Sequence, residues 1–281
     1  MKNWFITGAS RGFGALITEA VLASGDTVVA TARDPSSMAD HPRLLKLTLD
    51  VTNEEQARDA AAKGIETFGH IDVLVNNAGY GLLGAVEEAS ALEVERVFAT
   101  NVFGLLNVTR AVLPHMRKRR SGHIINMSSI GGYASYPGWG VYCATKFAVE
   151  GISEALSIEL APLGIHATVV EPGYFRTDFL SAQSLSSTAV RIDDYADTVG
   201  RIRTFAAAAN HQQPGDPLRL AQVIVQLAAE SKPSTRLALG SDTVARIEQK
   251  HRDVGRELAL WRSVSVSTDF GARDVRPIPP I

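Results

Sequence analysis

The chain is short of several things, and each shortage closes off a class of protein. Its 281 residues include a single cysteine, Cys143, so no internal disulfide can form and a reducing compartment is expected. It has no surplus of positive charge. Twenty-eight Lys and Arg stand against 30 Asp and Glu, a formal net charge of -2. Nucleic-acid binders usually carry a basic excess, so no nucleic-acid partner is expected. No apolar run reads as long enough to span a bilayer. Trp4 begins a strand-like run with almost no charge before it, so neither a signal peptide nor a membrane partner is expected, and a cytoplasmic location follows. Repeats, low-complexity tracts and linkers are missing too. The seven histidines show no ligand spacing, so no catalytic metal is expected.

What is present is alternation. Short apolar runs at 4–7, 27–32, 44–49, 71–75, 123–128, 165–171 and 236–240 read as strands. Helical patterns fall between them, at 12–23, 53–68, 90–116, 141–163 and 216–230. Thr52 with Glu55, and Ser90 with Glu93, have the spacing of capping boxes. Strands alternating with helices imply right-handed crossovers and a parallel sheet. The expected fold is α/β: one doubly wound Rossmann-type domain with a seven-stranded parallel sheet flanked by helices, over 1–240. Residues 178–215 read as a long substrate loop. Residues 241–281 read as a helix and an irregular tail packed on the same domain.

Thr7 to Gly14 reads T-G-A-S-R-G-F-G, between the first strand and the first helix. Glycines there let the backbone approach a pyrophosphate, and the helix start offers unpaired N–H groups. The second strand ends at Ala32 and is followed by Arg33. An acid at this place would hold the ribose of NAD, whereas an arginine would accept the extra phosphate of NADP. Arg11, inside the turn, converges on the same phosphate, so NADP(H) is the expected cofactor. Asp34 lies at the distance of a ribose-binding acid, but it precedes Pro35 and reads as a cap or turn residue.

Tyr142 and Lys146 are one helical turn apart on one face. A tyrosine titrates at about 10, too high for acid–base work at neutral pH, and an adjacent ammonium would lower that value. Asn76 to Gly79, Ser128 with Ser129, and Pro172-Gly173 with Thr177 fall at strand carboxyl ends, where open parallel sheets bind ligands. Asn101 interrupts an apolar helical stretch.

Together these motifs resemble the short-chain dehydrogenase/reductase family, in its single-domain branch with a T-G-x-x-x-G-x-G turn. The whole-chain pattern is similar to bacterial relatives of 17β-hydroxysteroid and retinol dehydrogenases. The resemblance implies that Tyr142 is the general acid in reduction and the base in oxidation. It implies that Ser129 bonds the substrate oxygen, Lys146 holds the nicotinamide ribose, and Asn101 holds a water of a proton relay. Its serine-to-tyrosine spacing selects Ser129 over Ser128. The cofactor set it implies is Gly8, Ser10, Arg11, Gly12, Phe13, Gly14, Arg33, Asp50, Val51, Asn77, Ala78, Gly79, Tyr142, Lys146, Pro172, Gly173 and Thr177. It also implies a homodimer through the helices around 91–116 and 141–162, with tetramer formation left open. Tyr80, Leu82, Leu83, Tyr136, Trp139, Tyr174, Phe175, Phe179 and Leu180 are expected around the substrate. Their apolar character points to a hydrophobic ketone or secondary alcohol. The competing reading is a regulatory protein that senses a dinucleotide without turning it over.

Overall fold

A computed structural model describes residues 1–270 of the chain. Seven strands form one parallel sheet: β1 (Asn3–Thr7), β2 (Thr27–Ala32), β3 (Leu44–Thr48), β4 (Val73–Asn76), β6 (Gly122–Met127), β7 (Ile165–Pro172) and β9 (Arg236–Leu239). Their order is β3-β2-β1-β4-β6-β7-β9. The order reverses between β1 and β4, so the carboxyl ends of those strands open onto a crevice. Two short strands, β5 (Gly81–Leu83) and β8 (Leu185–Ser187), pair separately above the main sheet. The sequence pattern contains no signal for that second sheet.

Side chains alternate along each strand and fill two cores. Trp4 and Ile6 of β1 join Val28, Val75 and Ile125 beneath α1 (Gly12–Ala23) and α7 (Pro217–Ala229). Phe5 points the other way. With Val29, Leu74 and Ile124 it packs on α2 (Glu54–Phe68) and α4 (Leu105–Arg119). Removing a fully buried aromatic such as Phe5 would cost about 3–5 kcal/mol.

α3 (Ala91–Phe98) and α4 are joined by a π-turn over Ala99–Gly104, giving one helical run from 91 to 119. Ser90 and Glu93 form the expected capping box. The other expected box does not form. Asn53 caps α2 by accepting a hydrogen bond from the Gln56 N–H, while the Thr52 hydroxyl turns back to Asp50. The 91–119 run corrects one expectation, since by length and composition it is apolar enough to cross a membrane. Its inner face, with Val97, Val108, Val112 and Met116, is fully buried in this fold.

α5 (Gly140–Leu160) carries the Tyr142–Lys146 pair alongside β7. The stretch expected as a loop contains α6 (Arg201–Ala209) as well as β8. α8 (Ser241–Val266) rests on the body through its first turns, where Thr243 is buried and Tyr133 meets His251. From Val254 onward every described residue is exposed, so the helix projects rather than packing along its full length. The proline-rich ending at 277–281 lies outside the described residues.

Candidate active site

Two cavities meet at the carboxyl edge of the sheet. The larger is a cleft over the turn between β1 and α1. Gly8, Ser10, Arg11, Gly12 and Phe13 line it, with Arg33, Asp50, Val51, Asn77, Ala78, Gly79, Lys146 and Pro172 around them. The smaller is walled by Ile130, Tyr136, Trp139, Cys143, Gly173, Tyr174, Phe175, Leu180 and Gln213. Phe13, Tyr142, Thr177 and Phe179 line both cavities.

The turn under the large cleft is built for close approach. Gly8 has φ +63°, which favours glycine, and a side chain on Gly14 would collide with the Gly8 carbonyl. Gly14 itself does not line the cleft. α1 begins with no side-chain cap and no acid in its first turn. Its N–H groups and positive dipole end are left for an anion. Asn77 braces this turn, donating to the carbonyls of Thr7 (2.9 Å) and Gly8 (3.1 Å). The Thr7 hydroxyl accepts from the N–H groups of Asn77 and Ala78, both at 3.0 Å. An uncapped helix start facing a roomy cleft fits a dinucleotide pyrophosphate.

The two arginines do not converge. Arg11 bonds the Gln183 carbonyl (2.6 Å) and the Ser184 hydroxyl (3.2 Å), which ties the glycine turn to the substrate loop. These partners are distant in sequence, so the motif alone did not show them. Arg33 is exposed on the cleft edge and makes no ion pair among the described residues. Asp34 folds into a turn, accepting the Ser36 N–H at 2.9 Å, as expected of a residue before proline. Asp50 spends one carboxylate oxygen on Thr52.

Tyr142 stands on the first turn of α5 beside Ser129, whose hydroxyl accepts the Gly131 N–H at 3.1 Å. Burial pushes the phenol well above its ordinary pKa, and Ser129 only partly offsets this. The expected lowering by Lys146 is not seen in the ligand-free pocket. The Lys146 ammonium lies 5.7 Å from the Tyr142 ring centre and donates to the Met127 carbonyl at 2.9 Å. Burial brings the Lys146 pKa down to about 8, with Glu150 opposing.

Asn101 sits on the π-turn, a helical defect often found at functional sites. Its amide donates to the Tyr80 carbonyl (2.9 Å) and the Thr145 hydroxyl (3.1 Å), and its oxygen accepts the Tyr80 N–H (3.0 Å). Its side chain thus positions the segment after β4. Thr177 accepts from the Phe179 N–H at 3.3 Å.

Ser128 faces Glu150 instead of the phenol. Leu82 and Leu83 are buried beside β8 and line neither cavity, because the unforeseen β5–β8 pairing turns them inward. Tyr80 lines the large cleft, while the remaining six expected substrate neighbours wall the small cavity. Two contributors went unnoticed in the sequence. Asp242 accepts the Tyr174 N–H at 2.8 Å and holds the 173–174 turn, and Gln213 closes the apolar cavity. Neither belongs to a local motif.

A 3-ketodihydrosphingosine reductase of Bacteroides thetaiotaomicron is 41% identical over 236 residues, 84% of this chain and 86% of that protein. The structure of a short-chain dehydrogenase from Streptomyces avermitilis superposes with a TM-score of 0.90 at 42% identity, covering 96% of this chain and 99% of that one. ElxO with NADP bound (TM-score 0.72, 28% identity, 87% of this chain and 99% of that one) is also similar. So is a Burkholderia phymatum short-chain dehydrogenase/reductase in complex with NAD (TM-score 0.80, 25% identity, 91% and 95%). The short chain dehydrogenase family model matches residues 2–187. With that match, the seven-stranded sheet and the glycine turn beneath an open cleft, the chain belongs to the short chain dehydrogenase family of oxidoreductases.

Proposed function

We propose that the chain is an NADP(H)-dependent carbonyl reductase acting on hydrophobic ketones, or on the matching secondary alcohols in reverse. One observation carries this reading. Tyr142 lines both the polar cleft, which fits a dinucleotide, and the apolar cavity, which fits an organic carbonyl. A bound nicotinamide would supply the hydride. The chain's own residues supply the proton and the geometry.

Ser129 and Tyr142 present two hydroxyls to one carbonyl oxygen and polarise it. Tyr142 then donates its proton as the alkoxide forms. A phenol held protonated by burial is an acid at neutral pH, which suits the reductive direction. Lys146 keeps its remaining N–H groups for the ribose beside Tyr142. The apolar walls exclude water from the reacting carbon. Preference for NADP(H) rests on Arg33, a free cation at the end of β2 with Asp34 turned aside.

The test is NADPH consumption with a panel of hydrophobic ketones. Turnover is expected, and Tyr142→Phe should reduce kcat by about 10²–10⁴-fold while NADPH still binds. Tight NADPH binding with no turnover of any ketone would overturn the proposal.

We also propose a homodimer. Leu92, Phe103, Phe147 and Ile158 leave large apolar surface exposed along the α3–α5 side of the molecule.

A further inference from the structure

The small cavity is lined mostly by apolar side chains, with Tyr136, Tyr142, Tyr174 and Thr177 as its hydroxyl-bearing residues. Among the described residues Gln213 is its only carboxamide, and none of those lining the wall is Lys, Arg, His, Asp or Glu. Gln213 is 3% exposed, and its Oε1 has no hydrogen-bond partner among the described residues. A buried amide oxygen without a partner is uncommon and costly. A leucine or methionine would fill the same wall without that cost.

The amide's orientation follows from its surroundings. Its nitrogen faces the Thr177 carbonyl at 3.5 Å, a long contact that contributes little. Turning the amide over would set two carbonyl oxygens against each other. The main chain also cannot swing the oxygen into water. Arg176 holds the Gln213 carbonyl at 3.2 Å, and Gly215 pairs with Tyr174 (2.9 Å) and Arg176 (3.0 Å). The segment therefore keeps an unpaired acceptor on a residue that lines the small cavity.

We propose that Gln213 is a specificity-determining residue that accepts a hydrogen bond from a substrate hydroxyl or amine remote from the reacting carbonyl. The substrate class is then an apolar ketone carrying a second, hydrogen-bond-donating group. This rests on the carbonyl-reductase reading above. An acceptor oxygen selects donors, so ethers and esters gain nothing from it. Carboxylates and phosphates would find no cation on this wall. Tyr136 and Tyr174, whose phenols burial keeps protonated, join Tyr142 and Thr177 as the hydroxyl-bearing residues of the cavity.

The experiment compares straight-chain 2-alkanones of increasing length with the same ketones bearing a terminal hydroxyl, using the full chain and NADPH. At one or more lengths the hydroxylated ketone should show kcat/KM roughly tenfold higher or more, because a site built to bond a hydroxyl discriminates against its absence. In Gln213→Met, of similar volume but lacking the acceptor, that ratio should fall to about one. The ligand-free variant should melt no lower than the parent, since an unpaired oxygen has been removed. Equal turnover of paired ketones by the parent chain at every length overturns the proposal, and it needs no variant. So does a preference that survives in Gln213→Met, which would mark the residue as a brace for Thr177. If no ketone of either series reacts although NADPH binds, the reductase reading itself fails and the proposal falls with it.

Discussion

Lys146 is an ammonium that the fold disfavours. Burial lowers its pKa to about 8, so its charge is lost just above neutrality in the ligand-free protein. On the proposed reading, the protonated form would hold the anionic cofactor and stabilise negative charge on the substrate oxygen. Reduction, read as kcat/KM, should therefore fall as pH rises through about 8. The raised Tyr142 phenol contributes no loss in that range. Lys146→Arg, charged at every accessible pH, should be slower but should lack this alkaline limb. A parent profile flat through pH 9 would refute the assignment. The stability sign is the reverse: the cost of burying the charge is fully present below about pH 8 and is relieved as pH rises toward the ordinary lysine value.

At the same scale, the proposed preference for NADP(H) is tested at Arg33. Arg33→Asp should raise the NADPH Michaelis constant roughly tenfold to a hundredfold and improve use of NADH, in line with about 1.5–3 kcal/mol for a charged hydrogen bond. An unchanged or lower NADPH constant would exclude Arg33 from phosphate binding. Arg33 was legible in the sequence as a cleft-edge residue because it directly follows a strand. Arg11 was not, because its partners Gln183 and Ser184 come from a segment with no motif of its own.

At the scale of elements, the strands and their turns were readable because each is a local pattern. Apolar runs, Ser90–Glu93 and the glycine turn all depend on neighbours within a few residues. The substrate loop was not readable, since its order comes from distant contacts. Glu88, fully buried, takes Arg203 of α6 at 2.5 Å and the Ile192 N–H at 2.9 Å. Burial pushes its carboxyl up, but Arg203 and the N–H groups of Ile192 and Ala85 outweigh this and hold it down at about 2. Its stabilisation is thus present above the ordinary carboxylate range and is lost as pH falls toward about 2. Arg203→Met would leave that carboxylate buried with only backbone donors. A loss of about 3 kcal/mol is expected, with faster proteolytic cleavage within 181–215. Unchanged melting and cleavage would show that α6 is held by its apolar contacts alone.

At the scale of the whole molecule, one face remains unaccounted for by the fold itself. Phe103 on the π-turn is 56% exposed and Phe147 on α5 is 46% exposed, with Leu92 and Ile158 also open. Phe147 directly follows Lys146 and is exposed on the same helix that carries Tyr142 and Lys146. A two-fold contact through this face would bury the same patch on both copies. It would also stiffen α5 and so hold Tyr142 and Lys146 in register. The sequence supplied the helices but not their exposed faces, because Phe103 and Phe147 look like core residues until the sheet is placed. Light scattering should give twice the chain mass for the parent and one chain mass for Phe103→Glu with Phe147→Glu, since two carboxylates per copy would have to be desolvated at the contact. The monomer should still bind NADPH, whose cleft opens at the carboxyl ends of β1 and β4, but its kcat should fall as α5 loosens. A parent that is monomeric at every concentration would remove the dimer, and an unchanged mass in the double variant would move it to another face.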